Sequence, residues 1–380
     1  MGVDVDDDRL DDVEALRSID PQQMLRAVAT SAAQVRRGLT AAADAGLDSL
    51  RGEDRPRAVV VAGMGGSGIA GDVVSALAMP TSPAPVVVHR GPGLPGWVGA
   101  ADLVISVSCS GGTAETLSAT DEAIRRGVRL IGVCANDSPL AQRCLQSRAA
   151  HVAVVPELSP RSSFWALAVP ATVALARLSL IELGPDDAAI EATAKRLESI
   201  AEACRPDRES FVNPAKTLAL ELTGTLPMAW GAGQVGGVAA YRFACQLAEN
   251  AKYPSVAGAL PEAHHNQVVS LDGHLAGEAA EADLFRDRVE DEQPLRLRLV
   301  LLHDDDEPAT SDRVAASEDL ADARGVPVSR LRSEGTHPLE RLASLVGVID
   351  YSSVYLAIGQ GIDPTPVDAI DAVKARTLLA

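Results

Sequence analysis

Two short segments rich in glycine and hydroxyl side chains decide how this sequence is interpreted. They are GMGGSG at residues 63–68 and SCSGGTAET at residues 108–116. Each follows an apolar run typical of a buried strand and precedes a sequence typical of a helix. Glycine lets a ligand approach the backbone, and the N-terminus of the following helix offers unpaired N–H groups and partial positive charge. Two such loops from one sheet predict a site for an anion, most often a phosphate, at the carboxyl edge of that sheet.

Size and composition indicate a globular protein with room for two domains. Of the 380 residues, 47% are hydrophobic and 23% are charged, which excludes a disordered chain. The formal net charge of −18 argues against nucleic acid as a partner, because phosphate backbones are bound by basic surfaces. An anionic ligand must therefore be attracted by local groups, against the overall field of the protein.

The cysteines and the N-terminus predict a cytoplasmic protein. The five cysteines include no CxxC pair and no zinc-ligand spacing, so we expect reduced, buried thiols. The acidic start, MGVDVDDDRL, lacks the basic and apolar regions of a signal peptide. The apolar stretch 164–183 contains Pro170, Arg177 and Glu182, so we interpret it as a buried helix rather than a membrane span.

Alternating strand-like and helix-like segments predict an α/β fold. Continuous apolar runs such as residues 59–61 and 130–133 fit parallel strands that are buried on both faces. The expected strands are 58–61, 85–89, 103–108, 128–134, 152–155, 227–231, 297–302 and 326–331. We therefore expect a parallel sheet flanked by helices in each half of the chain.

Composition shifts divide the chain into three expected parts. Residues 1–52 form a helical segment, residues 53–185 a first subdomain with both glycine-rich loops, and residues 186–380 a second subdomain. The second subdomain repeats the theme more loosely, with GAGQVGG at residues 231–237. The acidic stretch 276–293 is interpreted as an exposed loop.

The first loop also matches the GxGxxG pattern of dinucleotide-binding folds. An enzyme that binds a nicotinamide cofactor would carry an acidic residue about twenty residues later, at the end of the second strand. That strand ends at His89 and Arg90 instead, and a second loop of serine and threonine follows. A phosphorylated ligand is therefore favoured over a dinucleotide.

The two loops resemble the phosphosugar-binding loops of the SIS (sugar isomerase) fold, and further segments resemble the bifunctional phosphoglucose/phosphomannose isomerase family. These segments are PRSSF at 160–164, ENAKYP at 249–254, LPEAHHNQ at 260–267 and PTPV at 364–367, with Ile370 and Lys374. Together with the loops they extend over nearly the whole chain. The resemblance implies two SIS-type subdomains, each a three-layer αβα arrangement around a parallel sheet.

The resemblance also implies an activity. The family interconverts glucose 6-phosphate or mannose 6-phosphate with fructose 6-phosphate through an enediol, without a metal or other cofactor. Glu249 is then the base that moves a proton between C1 and C2, His265 opens the sugar ring, Lys374 is a further acid or base, and Arg161 stabilises the charged intermediate. The phosphate is held by Gly65, Gly66, Ser67, Ser108, Ser110 and Thr113. The family implies a homodimer in which the histidine comes from the partner subunit.

Three positions depart from the family pattern. Gly112 and His264 stand where the family usually has asparagine, and Gln267 stands where it usually has glutamate. Gly112 loses an amide contact, and Gln267 removes a carboxylate beside His265. Because His264 is adjacent, the assignment to His265 depends on the His-Asn pair that it forms with Asn266.

The proposed residues also have ordinary structural interpretations. Glu249 and Lys374 would by default be solvated charges, and Arg161 could pair with Glu157. Ser67 and Ser110 could simply form the loops. His264 and His265 could be a metal pair, but adjacent residues do not point together and no other ligands are spaced around them.

Two other functions remain open from the sequence. One is a phosphosugar-binding sensor with little or no turnover, although the chain shows no DNA-binding segment that could act as an output. The other is an amidotransferase-type synthase, which needs an N-terminal cysteine nucleophile where this chain has Gly2.

Overall fold

Strands and helices alternate along the described part of the chain, which comprises residues 7–277, 295–304 and 307–377 of a computed structural model. The strands are β1 Val59–Ala62, β2 Val86–His89, β3 Leu103–Ser108, β4 Arg129–Ala135, β5 Ala150–Val154, β6 Thr225–Ala232, β7 Val256–Ala259, β8 Arg296–His303 and β9 Val328–Arg332. The helices are α1 Asp7–Asp11, α2 Val13–Ile19, α3 Met24–Ala29, α4 Ser31–Asp44, α5 Gly65–Ala78, α6 Ala114–Arg125, α7 Pro139–Ser147, α8 Phe164–Arg177, α9 Ala188–Ala203, α10 Pro214–Leu222, α11 Gly236–Ala251, α12 Pro308–Ala323, α13 Pro338–Gly359 and α14 Asp368–Thr377.

The chain divides into two compact units. The N-terminal unit comprises Ala27–Ser199 and Ser333–Ser344, and the C-terminal unit comprises Met1–Arg26, Ile200–Arg332 and Leu345–Ala380. The expected helical segment 1–52 is thus shared between the units, because α1 and α2 pack with the C-terminal unit and α4 with the other. The domain boundaries near residues 52 and 185 remain predictions from the sequence.

The N-terminal unit contains a five-stranded sheet of order β2-β1-β3-β4-β5, and all its neighbouring strands are parallel. Every residue of β1 and β3 is buried, as expected for strands covered on both faces. Because β1 and β3 are direct neighbours, the two glycine-rich loops leave the sheet side by side at its carboxyl edge. This arrangement confirms the predicted parallel sheet.

Helix α8 is the buried helix that the apolar stretch after residue 163 predicts. It packs against α4 and α5, and a Cβ atom built on Gly38 of α4 would lie only 3.0 Å from Cβ of Val169. The side chain of Gln34, also on α4, donates to the carbonyl of Ser162 at 2.7 Å and accepts from the N–H of Ala166 at 3.3 Å. These bonds anchor the start of α8 to the same unit as the loops.

The C-terminal unit contains a four-stranded parallel sheet of order β7-β6-β8-β9. Its core includes Trp230 of β6 and Leu299 and Leu301 of β8, packed with residues of α12 and of the segment after β7. Of the acidic stretch 276–293, which was expected to form a loop, only Ala276 and Gly277 lie within the described residues.

One helix among the described residues, α13, is long and apolar enough to cross a membrane by length and composition. Its most apolar window is entirely buried inside the protein. It is therefore interpreted as a core helix. The five cysteines form no disulfide, and Cys109, Cys134, Cys144 and Cys204 are buried, as the sequence predicts.

Candidate active site

The first glycine-rich loop connects β1 to α5 at the carboxyl edge of the N-terminal sheet. The N–H of Gly63 donates to the carbonyl of His89 at 3.2 Å. A Cβ atom on Gly63 would lie 3.0 Å from the carbonyl oxygen of Val107, so a side chain would force the loop away from β3. No side chain caps α5, which begins at Gly65. The first turn of α5 therefore presents backbone N–H groups, beside the buried Ser67.

The second loop connects β3 to α6 and is organised by its hydroxyl groups. Oγ of Ser108 lies 3.0 Å from Oγ1 of Thr113 and accepts from the N–H of Gly111 at 3.1 Å. The N–H of Gly112 donates to Oγ of the exposed Ser110 at 3.3 Å. Thr113 is the extended N-cap residue of α6, and its hydroxyl makes no capping bond. The loop thus places three hydroxyl groups around a second helix N-terminus.

Arg161 lies on a short 3-10 turn, Pro160–Ser163, that packs against α5. A capping box of Ser159 and Ser162 closes the turn, and Arg161 is only 4% exposed. A Cβ atom on Gly66 would lie 3.5 Å from the carbonyl oxygen of Pro160, so the turn lies against the first loop. Glu157, the partner considered for Arg161 from the sequence, forms an ion pair with Arg37.

These contacts collect one group of predicted residues at a single sheet edge. The group comprises Gly65, Gly66, Ser67, Ser108, Ser110, Thr113 and Arg161. Two helix N-termini and a buried guanidinium give this edge positive potential in a chain of net charge −18. Such a site suits a phosphate group, which accepts several hydrogen bonds at once. Within the described ranges no group of three or more His, Cys, Asp or Glu side chains could hold a metal ion.

The glycine-rich loop at 231–237 differs from these two loops. The carboxylate of Asp304, which follows β8 and is fully buried, accepts from the N–H of Val235 at 3.0 Å. A Cβ atom on Gly231 would lie 2.0 Å from the carbonyl oxygen of Gly236. The protein's own carboxylate thus binds the start of α11. In the sequence, the position of Asp304 directly after a strand was the signal from which this contact could have been predicted.

Glu249 lies in the last turn of α11 in the C-terminal unit and is half-buried. The helix ends at Lys252, which has a left-handed backbone with φ of 55°. Nζ of Lys252 donates to the carbonyls of Glu249 at 2.8 Å and of Asn250 at 3.2 Å. A cation on the last carbonyl groups stabilises the end of a helix, so the backbone of Glu249 is held at a well-defined position.

The two neighbouring histidines of the turn Glu262–His265 have different surroundings. His264 is half-buried, its Nε2 lies 2.7 Å from Oγ of Ser317, and its ring packs edge-on against Trp230 with 5.8 Å between ring centroids. Because the hydroxyl of Ser317 donates to the carbonyl of Arg313, it accepts from His264. Burial, followed by the charges of Arg313 and His265, lowers the pKa of His264. His265 is exposed, so the two rings do not form a pair for one metal ion.

The residues after His265 hold its turn in place. The side chain of Asn266 donates to Oε1 of Glu262 at 2.7 Å and accepts from the N–H of Gln267 at 2.6 Å. Gln267 accepts from the indole N–H of Trp230 and donates to the carbonyl of Ala257. His265 is therefore an exposed imidazole on a turn that its neighbours fix on both sides.

Lys374 lies on α14 and is exposed. The second group of predicted residues thus occupies three separate elements of the C-terminal unit: α11 for Glu249, the turn 262–265 for His265, and α14 for Lys374. The side chains described for α14 are all exposed, including Ile370 at 39% and Val373 at 60%.

Comparison with known proteins places both units among sugar-phosphate proteins. Residues 55–180 match the SIS domain family model, and residues 211–377 match the model of the bacterial phospho-glucose isomerase C-terminal SIS domain. A bifunctional phosphoglucose/phosphomannose isomerase of Caldicellulosiruptor bescii is 32% identical over 332 residues, which cover 86% of this chain and 91% of that protein. One from Aquifex aeolicus is 28% identical and covers 84% of this chain and 89% of its own length.

Solved structures show the same fold at low sequence identity. A hypothetical protein from Thermus thermophilus has a TM-score of 0.70 and 16% identity, covering 97% of this chain and 94% of that one. The C-terminal domain of glucosamine-fructose-6-phosphate aminotransferase from Francisella tularensis has a TM-score of 0.63 and 16% identity, covering 90% and 98%. At these identities the likeness concerns the fold alone. The predicted fold of two SIS-type subdomains is confirmed.

Proposed function

The chain belongs to the bifunctional phosphoglucose/phosphomannose isomerase family, and from this membership we propose how its own residues act on a hexose 6-phosphate. The protein is a sugar-phosphate isomerase. It interconverts glucose 6-phosphate and mannose 6-phosphate with fructose 6-phosphate. The observation that carries this conclusion is the relationship over 86% of the chain. The two glycine-rich loops of the N-terminal unit, which precede helices without side-chain caps, agree with it.

The loops of the N-terminal unit bind the phosphate group of the substrate. The first turns of α5 and α6 supply backbone N–H groups, and Ser67, Ser108 and Thr113 supply hydroxyl donors. Support for these roles comes from the 3.0 Å approach of the Ser108 and Thr113 hydroxyls and from the missing side-chain caps on both helices. Arg161 contributes the positive charge that stabilises an enediolate.

Isomerisation requires a single proton to move between two carbon atoms. His265 and Lys374 open the ring by giving a proton to the ring oxygen and removing one from the C1 hydroxyl. Glu249 then takes the proton from C2, an acid protonates the oxygen on C1, and an enediol forms. Return of the proton to C1, with loss of the proton from the oxygen on C2, gives the ketose. Aldose and ketose have the same oxidation level, so the reaction consumes no redox cofactor.

Glucose 6-phosphate and mannose 6-phosphate differ only at C2, which is planar in the enediol. One intermediate therefore connects both aldoses to the same ketose. A carboxylate that reaches either face of C2 would serve both substrates, and this gives a chemical basis for a bifunctional enzyme.

A coupled assay for fructose 6-phosphate in the presence of EDTA tests this function. We expect turnover of both aldose phosphates by the unmodified protein and a loss of about 10²–10⁴-fold in kcat for Glu249→Gln. The matched control is Glu209→Gln, an exposed glutamate of the same unit, which should keep wild-type kcat. Binding without turnover in the unmodified protein would indicate a sensor, and loss of activity with EDTA would indicate a metal enzyme.

A cytoplasmic homodimer with shared sites completes the proposal. Exposed apolar side chains of the C-terminal unit support a covering partner, namely Val256 at 40%, Val269 at 66%, Ile370 at 39% and Val373 at 60% exposure. The partner in this proposal is a second copy of the chain, to whose site His265 contributes.

Mixing two inactive variants tests the shared site. Glu249→Gln and His265→Asn proteins are unfolded together, refolded and assayed. If the histidine comes from the partner, half of the dimers are mixed and each mixed dimer has one intact site. We then expect about a quarter of wild-type activity. Sites built within one subunit would leave the mixture inactive.

A further inference from the structure

A row of buried polar side chains joins α11 to α13 within the C-terminal unit. Arg242, Gln246 and Asn250 follow one another every four residues on α11 and are 1%, 2% and 0% exposed. Asp350 and Ser353 of α13 oppose them and are 3% and 0% exposed. We call these five side chains the polar ladder. Charged and polar side chains are seldom buried without hydrogen-bond partners, so each member of the ladder is expected to have one.

The ladder is fully hydrogen-bonded. Arg242 donates two parallel hydrogen bonds to Asp350, from Nε to Oδ1 at 2.9 Å and from Nη2 to Oδ2 at 2.6 Å. Gln246 donates to the same Oδ1 at 3.1 Å. Asn250 donates to Oγ of Ser353 at 2.9 Å, and that hydroxyl donates to the carbonyl of Asp350 at 2.7 Å. The ladder thus extends over the second half of α11.

Glu249 lies on the side of α11 that carries the ladder. It lies seven positions after Arg242, and in an α-helix this spacing returns a side chain to within about 20° of the same direction. It is half-buried at the edge of the stripe whose other members are buried. Any rotation or sliding of α11 on α13 therefore moves the carboxylate of Glu249.

A buried ion pair is a poor source of stability, because desolvation of both charges offsets their attraction. Apolar residues of similar volume would join the two helices equally well. Such packing, however, tolerates small shifts, whereas a bidentate guanidinium–carboxylate pair fixes both the rotation and the axial position of a helix. Proton transfer is sensitive to shifts of this size, since an error of about 1 Å can cost about 10²-fold in rate.

We propose that the polar ladder is a positioning device, which holds α11 in the one register on α13 that places Glu249 for proton transfer. This inference rests on the proposed role of Glu249 as the base. The ladder residues are buried between the two helices, so we assign them a positioning role rather than a catalytic one. Their contribution is to kcat, and binding of the phosphate by the other unit should not depend on them.

The decisive variant replaces the ion pair and its glutamine together, as R242M/Q246L/D350L. We expect an unfolding midpoint close to that of the wild type or above it, because both charges of the pair are removed together. We expect KM for fructose 6-phosphate within about twofold of the wild type and kcat lower by at least about tenfold. The matched control is R177M/D187L, which removes the ion pairs of the buried Arg177 on α8 with Asp187 and with the exposed Asp48 in the other unit. It should leave kcat unchanged.

A conservative variant covers the case in which the triple variant fails to fold. R242K keeps the positive charge but loses the two parallel bonds. If only the charge at this position mattered, lysine would substitute for arginine without loss. We expect R242K to lower kcat while KM stays constant. Wild-type kcat in the triple variant or, if that variant does not fold, in R242K would overturn the inference, provided that Glu249→Gln is inactive. Full activity of Glu249→Gln would overturn the proposed base and the ladder's role with it.

Discussion

The indole N–H of Trp230 donates a hydrogen bond of 2.8 Å to Oε1 of Gln267. The amide group of Gln267 donates in turn to the carbonyl of Ala257 at 3.0 Å. One side chain thus connects the buried strand β6, the edge strand β7 and the turn that carries His265. From the sequence, Gln267 stood out as a departure from the glutamate of the family. In the structure, the side-chain amide of Gln267 both accepts and donates a hydrogen bond, which an ionised glutamate cannot do.

Replacing Gln267 by glutamate should therefore destabilise the protein at neutral pH. A carboxylate can still accept from Trp230, but it faces the carbonyl of Ala257 without a proton to donate. We expect a loss of about 1–3 kcal/mol in the free energy of unfolding in urea. The loss should shrink as the pH falls and the carboxyl group becomes protonated. Gln22→Glu, at an exposed position of the same unit, is the control. Equal stability of Gln267→Glu and the wild type at pH 7 would contradict this role.

Much of the fold could be predicted because its signals are local. Strand β3 has the predicted bounds, 103–108, since a mainly apolar run lies between Asp102 and a glycine-rich loop. Strand β7, Val256–Ala259, was not predicted. Its sequence VAGA has no hydrophobic period, and its residues are exposed or half-buried. Pairing with β6 makes it a strand, and pairing between distant segments leaves no local signal.

The site was predictable to a similar degree. The loops were found because glycine and hydroxyl residues at strand ends indicate an anion site. The polar ladder was not found, since Arg242 and Asp350 are 108 residues apart and charged residues are by default expected in solvent. The contact of Ser138 with Gly111 was also missed. Only the fold reveals which distant residue fills the space beside a given loop.

Gly111 should be the least replaceable glycine of the second loop. Its φ is +65°, and a Cβ atom there would lie 2.1 Å from Oγ of Ser138. We expect Gly111→Ala to cost about 2–5 kcal/mol in the free energy of unfolding, from backbone strain and overpacking together. Gly127→Ala is the matched control, because Gly127 has a φ of +66° and no atom within 4 Å of the added methyl group. It should cost about 1–2 kcal/mol. Similar losses for both variants would mean that Ser138 does not constrain the loop.

The hydroxyl of Thr113 should contribute to phosphate binding rather than to stability. In Thr113→Val we expect KM for a hexose 6-phosphate to rise about tenfold, which corresponds to one lost hydrogen bond to a charged group. Thr120→Val in the same helix is the control. Its hydroxyl pairs with Ser106 at 2.8 Å and donates to the carbonyl of Thr116 at 2.7 Å, and the residue is fully buried.

Thermal unfolding and steady-state kinetics of both variants separate the two roles. Thr120→Val should lower the free energy of unfolding by about 1–2 kcal/mol and leave KM unchanged. Thr113→Val should show the opposite pattern. A Thr113→Val protein with wild-type KM would remove that hydroxyl from the phosphate site.

His337 should make the stability of the N-terminal unit depend on pH. The N–H of Leu339 donates to Nδ1 of His337 at 3.1 Å, so this nitrogen carries no proton. Nε2 carries the proton and lies 2.9 Å from the carbonyl of Glu182, to which it donates. Burial lowers the pKa of His337 below the usual 6.5, as expected for a ring that must stay neutral at the start of α13.

The sign of the pH effect follows from that direction. Between pH 6.5 and the lower pKa of the folded protein, the unfolded chain binds a proton at residue 337 that the folded protein does not bind. The stabilising contribution is therefore complete above pH 6.5 and is lost as the pH falls from there through the folded-state pKa. In His337→Asn we expect a smaller decline in the free energy of unfolding between about pH 7 and 5. The control His274→Asn, at an exposed position, should retain the wild-type decline. An equally steep decline in His337→Asn would show that His337 does not carry this pH dependence.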